Sequence, residues 1–171
     1  MSANIRISGE PLDGLSTLMA LQKRHPYLAN NALFDQSIPG FLSSGIYKFV
    51  IGTYGEQALV FGLISLRISA KGPGVLVEAL WSSGNALYLK DALEVLVEQS
   101  KAMGGLLYIP QRALSPTASA LLSECAERAN LSMTQELVSF LPSGNGLYTV
   151  LADPGPSQGA RPSAQCFVFG A

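Results

Sequence analysis

The apolar residues of this chain follow two spacings, and the change between them separates helices from strands. From Pro11 to His25, leucine and methionine recur three or four positions apart, the spacing of a helix with one buried face. Proline cannot donate the helical hydrogen bond, so Pro26 ends this helix at His25. A second, short helix is expected over Asn30–Ser43, interrupted at Pro39.

Three segments rich in β-branched and aromatic residues come next, separated by two short turns. They are Ile46–Thr53, Ala58–Ile68 and Val75–Trp81, with turns at Tyr54–Glu56 and Lys71–Gly74. Consecutive strands joined by tight turns predict an antiparallel meander.

The second half of the chain alternates helices and strands within the same domain, which we place at residues 1–152. The expected elements are a helix over Ala86–Met103 capped by the turn Ser82–Asn85, a strand over Leu106–Pro110, a helix over Ser115–Ala129, and a hairpin of Met133–Pro142 with Leu147–Ala152. Residues 153–171 are rich in proline, glycine and serine, which predicts a flexible tail. The last residues, CFVFGA, are apolar enough to dock on a sheet edge.

Composition restricts the classes of protein and the kinds of partner. Of the 171 residues, 48% are hydrophobic and 13% are charged, which excludes intrinsic disorder. A net charge of −1 argues against a nucleic-acid partner. So few charges favour an apolar surface for a partner or for a homodimer. The longest apolar run, Ala58–Leu66, is far below the roughly 18 residues of a membrane span, so no transmembrane segment is expected.

Targeting features and cysteine usage favour the cytoplasm. The N-terminus lacks the basic start and apolar core of a signal peptide. Cys125 and Cys166 are too few and too isolated for a disulfide framework or a zinc site, so we expect reduced thiols and no metal.

Two titratable residues are candidates for chemistry. His25 is the only histidine and could act as a general base, although a histidine at a helix end is often only a cap. Glu78 lies in VLVEALW, where strict alternation places it on one face with Leu76 and Leu80. A carboxylate in such a strand is costly unless it is paired or exposed at an edge. Together they would form a base and the carboxylate that orients it.

The order of elements resembles the GCN5-related N-acetyltransferase fold, an α+β fold with a mixed, mostly antiparallel sheet flanked by helices. The resemblance implies that the sheet splays beside the third strand of the meander and that an acyl thioester lies in the cleft. Coenzyme A enzymes of that fold hold the pyrophosphate on a glycine-rich turn after a basic residue. The matching turn here has one glycine and no arginine or lysine, so it is either a weak donor site or a plain helix cap. The candidate donor-binding residues are Trp81, Ser82, Ser83, Gly84 and Asn85.

The stretch from Leu12 to Asn85 further resembles the RTX toxin-activating lysine acyltransferases, of the haemolysin-activating type. The matching pieces are the leucine-rich helix leading into His25, the pair Ile38-Pro39, the strand Ile46–Val50, the turn and strand Tyr54–Ile64, and the acidic strand, turn and helix start in Val77–Tyr88. The chain departs from the family in three ways: Glu78 stands for an aspartate, Ser37 or a neighbour stands for an asparagine, and the loop between the second and third strands is shorter.

This second resemblance implies transfer of a fatty acyl group from acyl carrier protein to a lysine of a protein substrate, with no bound cofactor. His25 would be the general base and Glu78 its orienting carboxylate. Under this hypothesis, the apolar wall for the fatty chain, or alternatively ordinary core, is Phe49, Phe61, Leu63 and Trp81. The docking face for the acidic carrier, or alternatively a set of scattered solvated charges, is Lys23, Arg24, Arg67 and Lys71. An acyl-coenzyme A-dependent N-acyltransferase and a non-catalytic binding or chaperone module remain as alternatives.

Overall fold

Seven strands form a single sheet, with helices on both of its faces. The structure is a computed structural model that describes residues 3–25, 47–69, 72–83, 85–114, 116–139 and 163–170. In chain order the elements are β1 (Asn4–Ser8), α1 (Pro11–Arg24), β2 (Tyr47–Tyr54), β3 (Gln57–Ser69), β4 (Gly72–Ser82), α2 (Ala86–Ala102), β5 (Leu106–Pro110), a 3-10 turn (Gln111–Ala113), α3 (Pro116–Arg128), β6 (Met133–Ser139) and β7 (Ser163–Phe169).

The strand order is β1-β2-β3-β4-β5-β7-β6, and every neighbouring pair is antiparallel except β4 with β5. The predicted α+β class, with a mixed, mostly antiparallel sheet flanked by helices, is therefore confirmed. The meander is confirmed as β2, β3 and β4. Strand β1 was not predicted, because its five residues are too few to establish an alternation; it adds to the sheet by pairing with β2.

The end of the chain corrects one expectation. Residues 163–169 were predicted as part of a flexible tail, but they form β7, which pairs with β5 on one side and β6 on the other. Cys166 and Phe169 are fully buried there, and this apolar burial together with two hydrogen-bonded ladders accounts for the ordered strand. The helix predicted over Asn30–Ser43 and the strand predicted over Leu147–Ala152 lie outside the described residues.

The buried apolar residues of the described chain form three clusters, and helices pack on two of them from opposite faces of the sheet. On the face that we call the helix-pair face, α2 and α3 pack against the sheet through an aliphatic cluster that includes Leu89, Leu93 and Leu122. On the opposite face, the α1 face, α1 packs through Leu18 and Leu21. Helix α1 comes so close to the sheet that a Cβ on Gly14 would lie 1.8 Å from the ring of Phe49, so only glycine fits at this position.

A β-bulge in β4 changes which face each of its side chains occupies. Leu63 pairs with Ala79 and the next residue, Ile64, pairs with Val77, so Glu78 is the extra residue of β4. The strict alternation predicted for this strand is therefore wrong beyond Glu78. Leu80 belongs to the core of the helix-pair face, whereas Ala79 belongs to the core of the α1 face.

No helix in the described part of the chain combines the length and the apolar character needed to cross a bilayer.

Candidate active site

The carboxyl group of Glu78 is buried within a small polar cluster on the α1 face. Glu78 is 2% exposed and Arg67 is 4% exposed. The Arg67 Nη2 atom donates to Glu78 Oε1 at 3.1 Å, and the Ser65 hydroxyl donates to the same oxygen. Arg67 Nε also donates to Ser65 Oγ at 3.2 Å, so the three side chains form a closed set of hydrogen bonds.

The backbone explains why these three side chains meet. Leu63 faces α1, and the two-residue period of a strand places Ser65 and Arg67 on the same face of β3. On the neighbouring strand, the bulge brings Glu78 and Ala79 to that face together. A carboxylate and a guanidinium are thus brought into contact in a region with little water, where each needs the other.

Burial determines the protonation behaviour of Glu78. Desolvation raises the pKa of its carboxyl group, and the charge of Arg67 and the hydrogen bonds from Ser65 and Arg67 counteract this rise without cancelling it. The second oxygen, Oε2, is buried and has no hydrogen-bond partner among the described residues. The Glu78 carboxyl therefore has an elevated pKa and two unlike oxygens. Oε1 accepts hydrogen bonds from two donors, whereas Oε2 accepts none from the described residues.

His25 lies on the same face of the sheet, at the end of α1. Its backbone N–H donates to the carbonyl oxygen of Leu21 at 2.7 Å, which caps the helix, and its side chain is half-buried. The imidazole ring packs on the indole of Trp81, with ring centroids 5.1 Å apart and planes inclined by 48°. The helix end and β4 together position this ring.

The structure brings His25 and Glu78 to one face but not into direct contact. Trp81 is three residues beyond Glu78 on β4, which corresponds to roughly 10 Å along a strand. Within the described part of the chain, the hydrogen bonds and the ion pair of the Glu78 carboxyl go to Ser65 and Arg67. The proposed base and carboxylate thus share a face without a hydrogen bond between them.

Strands β4 and β5 separate close to Glu78. They pair only where Gly74–Leu76 lies beside Leu106–Tyr108. On its other side, β5 pairs with β7 as far as Pro110. A single bridge between Leu80 and Leu114 links the two segments again. Over Val77–Ala79, no described strand pairs with the β5 side of β4. This is the splay that the resemblance to the GCN5-related N-acetyltransferase fold implies.

The turn expected to bind the acyl donor is largely occupied by hydrogen bonds within the protein. Ser82 is buried and its hydroxyl donates to the carbonyl oxygen of Ser83 at 3.0 Å. The amide of Ser83 donates to Leu59 O at 2.9 Å, and the side chain of Asn85 accepts from the amide of Leu87 at 2.9 Å. Asn85 is thus the N-cap of α2, as the plain-cap alternative predicts. Gly84 lies outside the described residues.

The charged residues expected to dock a carrier protein divide into two kinds. Lys23 and Arg24 are exposed at the end of α1. Arg67 was expected on the surface, but it is buried because it pairs with Glu78, so it is not a docking residue. Lys71 lies outside the described residues.

The apolar wall proposed for a fatty chain is part of the core of the α1 face. Its members, Phe49, Phe61, Leu63 and Trp81, are all buried. Phe49 and Phe61 pack on each other with centroids 5.4 Å apart. A chain could bind there only if these side chains or α1 moved.

An open groove of about 330 Å³ lies between α1 and the β2–β3 turn, away from the polar cluster. Its lining includes Arg6, Asp13, Arg24 and Glu56, so its charges are balanced, and neither His25 nor Glu78 lines it. Among the residues that the structure describes, no three histidine, cysteine or acidic side chains come together to hold a metal ion.

Ser65 and Arg67 were not identified as partners of Glu78 from the sequence. A signal for them exists, because they are the polar residues of the otherwise apolar strand ALVFGLISLRI and are spaced two apart. Their spacing places them on one face, but the pairing with Glu78 depends on the register between β3 and β4 and on the bulge.

Comparison with solved structures gives a weak likeness, whereas the sequence comparisons find nothing. No protein-family model matches the sequence, and no curated protein matches it. A solved chain from Desulfovibrio desulfuricans, described as a "putative acetyltransferase of the GNAT family", shares 12% sequence identity with this chain at a TM-score of 0.48. The likeness covers 98% of this chain and 96% of that chain. Identity and score at these values assign neither an activity nor a substrate.

Proposed function

We propose that this protein is an acyltransferase that moves a fatty acyl group from acyl carrier protein to a lysine of a protein substrate. One observation carries the proposal. The His25 imidazole and the buried Glu78 carboxyl lie on the same face of the sheet, close to the place where β4 and β5 separate. An imidazole can take the proton that the amine loses, a carboxyl can stabilise the resulting cation, and backbone N–H groups of a strand edge can donate to the developing oxyanion.

The reaction assigns a role to each group. The lysine amine attacks the thioester carbonyl, the C–N bond forms and the C–S bond breaks. His25 accepts the proton that the amine loses and returns it to the departing thiolate, so that the carrier leaves with a free thiol. Glu78 stabilises the transient imidazolium by its negative charge. The backbone edge at Val77–Ala79, with which no described strand pairs on the β5 side, is the proposed place for the thioester and its pantetheine arm.

The turn before α2 favours a carrier protein over coenzyme A as the donor. The segment Trp81–Ala86 contains no arginine or lysine to neutralise a pyrophosphate. The amides of Ser83 and Leu87 already donate within the protein, so they are not available to a phosphate. A carrier protein brings its own binding surface and depends less on such a grip.

Helix α1 offers a surface for an acidic carrier. Leu12 and Met19 are 81% and 69% exposed, and Lys23 follows them on the same side of the helix at a spacing of seven and then four residues. An apolar stripe ending in a cation suits a partner helix with acidic and apolar side chains. The stripe leads to His25, so a carrier docked there would deliver its thioester near the imidazole.

The test is a donor competition with the purified protein. One reaction contains acyl carrier protein charged with a fatty acyl group, and a parallel reaction contains the same acyl group on coenzyme A. A lysine-containing peptide serves as acceptor, and intact-mass analysis follows loss of acyl from the donor and its gain by the peptide.

Acylation from the carrier, and not from coenzyme A, is the expected result. Acylation from coenzyme A alone would replace the carrier with the coenzyme as donor. Transfer from neither, with a panel of acceptor peptides, would contradict the proposal and leave a binding module with the same fold.

A further inference from the structure

The two donors in the buried cluster both act on the same oxygen of Glu78. Arg67 Nη2 lies 3.1 Å from Oε1, and the Ser65 hydroxyl donates to Oε1 as well. Because Ser65 Oγ accepts a hydrogen bond from Arg67 Nε at 3.2 Å, the hydroxyl hydrogen of Ser65 is directed to the carboxyl. The orientation of the carboxyl is therefore fixed by two side chains that also fix each other.

The other oxygen of Glu78 is in a different situation. Oε2 is buried and has no partner among the described residues. A buried polar atom without a hydrogen bond is costly, and native proteins retain few of them. Since Oε1 already accepts two hydrogen bonds, a proton on this carboxyl resides on Oε2, and in the ionised form Oε2 is the acceptor open to a new donor.

We infer that Ser65 and Arg67 are positioning residues that fix the orientation of the Glu78 carboxyl and keep it ionised during acyl transfer. The inference rests on the proposed function and deepens it. The ionised carboxyl stabilises the imidazolium of His25 by its charge across the α1 face and keeps no proton itself. Arg67 and Ser65 stabilise the ionised carboxyl that this step needs.

Few groups influence the charge of Glu78. Arg67 of β3 is the charged side chain whose field acts on it among the described residues, and Ser65 is the neutral donor. From β5, the hydroxyl of Tyr108 is 2.8 Å from Ser69 and 3.1 Å from the carbonyl oxygen of Gly72, so it serves a neighbouring site. From the end of α1, the imidazole of His25 packs on Trp81 of the same strand as Glu78.

Two buried serines of β3 provide a matched comparison. Ser65 and Ser69 lie on the same strand and face and are 1% and 6% exposed, but Ser65 bonds to Glu78 and Ser69 bonds to Tyr108 and Gly72. We expect Ser65→Ala to lower kcat about tenfold with KM unchanged, because the variant loses one hydrogen bond to an ionised group. Ser69→Ala retains the wild-type kcat.

The pH profile gives a readout that a purely structural role does not move. Removing the Ser65 hydrogen bond raises the pKa of Glu78 further, so the rising limb of kcat against pH shifts to higher pH in Ser65→Ala and stays in place in Ser69→Ala. In the His25→Ala background, the kcat effect of Ser65→Ala disappears, because residues that act as a unit are not additive.

A measurement independent of activity separates this inference from the proposed function. The protein is labelled with ¹³Cδ-glutamate, and the Glu78 signal is assigned by its loss in Glu78→Gln. Titration should give a higher pKa for Glu78 in Ser65→Ala than in the wild type or Ser69→Ala. Arg67→Lys, which retains the charge but lacks the Nε contact to Ser65, should show a smaller shift than Arg67→Met.

The possible results divide clearly. If Ser65→Ala matches Ser69→Ala in kcat profile or in the Glu78 titration, the positioning role is overturned, whether or not the enzyme is active. If the wild type transfers no acyl group from either donor, the proposed function fails. A Glu78 titration that shifts in Ser65→Ala would still support the role of Ser65 in keeping this carboxyl ionised. If Arg67→Met does not fold, the serine pair and Arg67→Lys decide the matter.

Discussion

The two faces of this one sheet are built from different chemistry. The helix-pair face is a mostly aliphatic core in which Leu89, Leu93 and Leu96 of α2 pack against valines and isoleucines of the strands, with Phe167 and Phe169 of β7 at the same cluster. The α1 face is aromatic around Phe49 and Trp81, and it also buries an ion pair. Apolar packing stabilises the helix-pair face. The α1 face retains charges whose burial costs free energy, which is expected of a face used for chemistry.

The comparison separates stability from activity. A residue of the helix-pair face should affect only how much protein is folded, whereas a residue of the α1 face should also affect what the folded protein does. The following changes test that separation, from the largest expected effect to the smallest.

Replacing the base is expected to have the largest effect. His25→Ala should lower acyl transfer about 100- to 10,000-fold, the usual contribution of a general base. His25→Phe is the control, because it retains a ring against Trp81 and removes only the proton acceptor. Single-turnover assays and thermal melts check both variants. Activity in His25→Phe near that of the wild type would show that the ring, not its basicity, matters.

Breaking the buried ion pair should destabilise the α1 face by about 3–5 kcal/mol. Arg67→Met leaves the Glu78 carboxyl buried without a counter-charge, whereas Arg67→Met combined with Glu78→Leu removes both charges. We expect the double variant to regain the wild-type stability in urea unfolding while remaining inactive. A double variant that stays active would show that the pair serves the fold alone.

A cavity in the helix-pair face should reduce stability without changing the chemistry. Leu93 of α2 is fully buried, so Leu93→Ala should lower the free energy of unfolding by about 2–5 kcal/mol. Activity per folded molecule should remain that of the wild type, as measured at a temperature well below the melting transition. A selective loss of kcat would contradict the division between the two faces.

The smallest effect is expected at an exposed ion pair between β1 and α1. The two terminal guanidinium nitrogens of Arg6 donate to the carboxylate of Asp13, and these bonds, with one from Ser8, lower the pKa of Asp13 to about 2. A depressed carboxyl pKa adds stability that is present above the unfolded pKa of about 3.9 and is lost as pH falls to about 2. Because the pair is exposed, Asp13→Asn should cost at most about 1 kcal/mol at neutral pH. In urea unfolding from pH 2 to 7, the difference in stability between the variant and the wild type should shrink as the pH falls toward 2. A difference that stays constant over this range would contradict the prediction.

Most elements of the fold could be predicted from the sequence, because local periodicity carries the information. The strand Leu106–Pro110 was predicted with its observed bounds, and the helix that begins at Ala86 ends one residue earlier than predicted. The apolar end CFVFGA was expected to be able to dock on a sheet edge, and its residues Cys166–Phe169 do pair within the sheet. The start of β7 and its place between β5 and β6 could not be predicted, since the segment follows a long stretch of proline, glycine and serine.

The candidate site could be predicted only in part. His25 and Glu78 are conspicuous as single residues, one because it is the only histidine and the other because it interrupts an apolar strand. Whether they act as a pair stays a prediction. The sequence contained no indication that Glu78 binds Ser65 and Arg67, because that contact depends on an inserted residue in β4.

By itself, the sequence determined which segments become helix or strand, because spacing along the chain sets which side chains share a face. Tertiary structure decided which segments lie side by side, where β4 and β5 part, and that Arg67 is buried beside Glu78 and not exposed. The physical reason is that a strand's register and its bulges are set by packing against its neighbours, and one extra residue moves every following side chain to the opposite face.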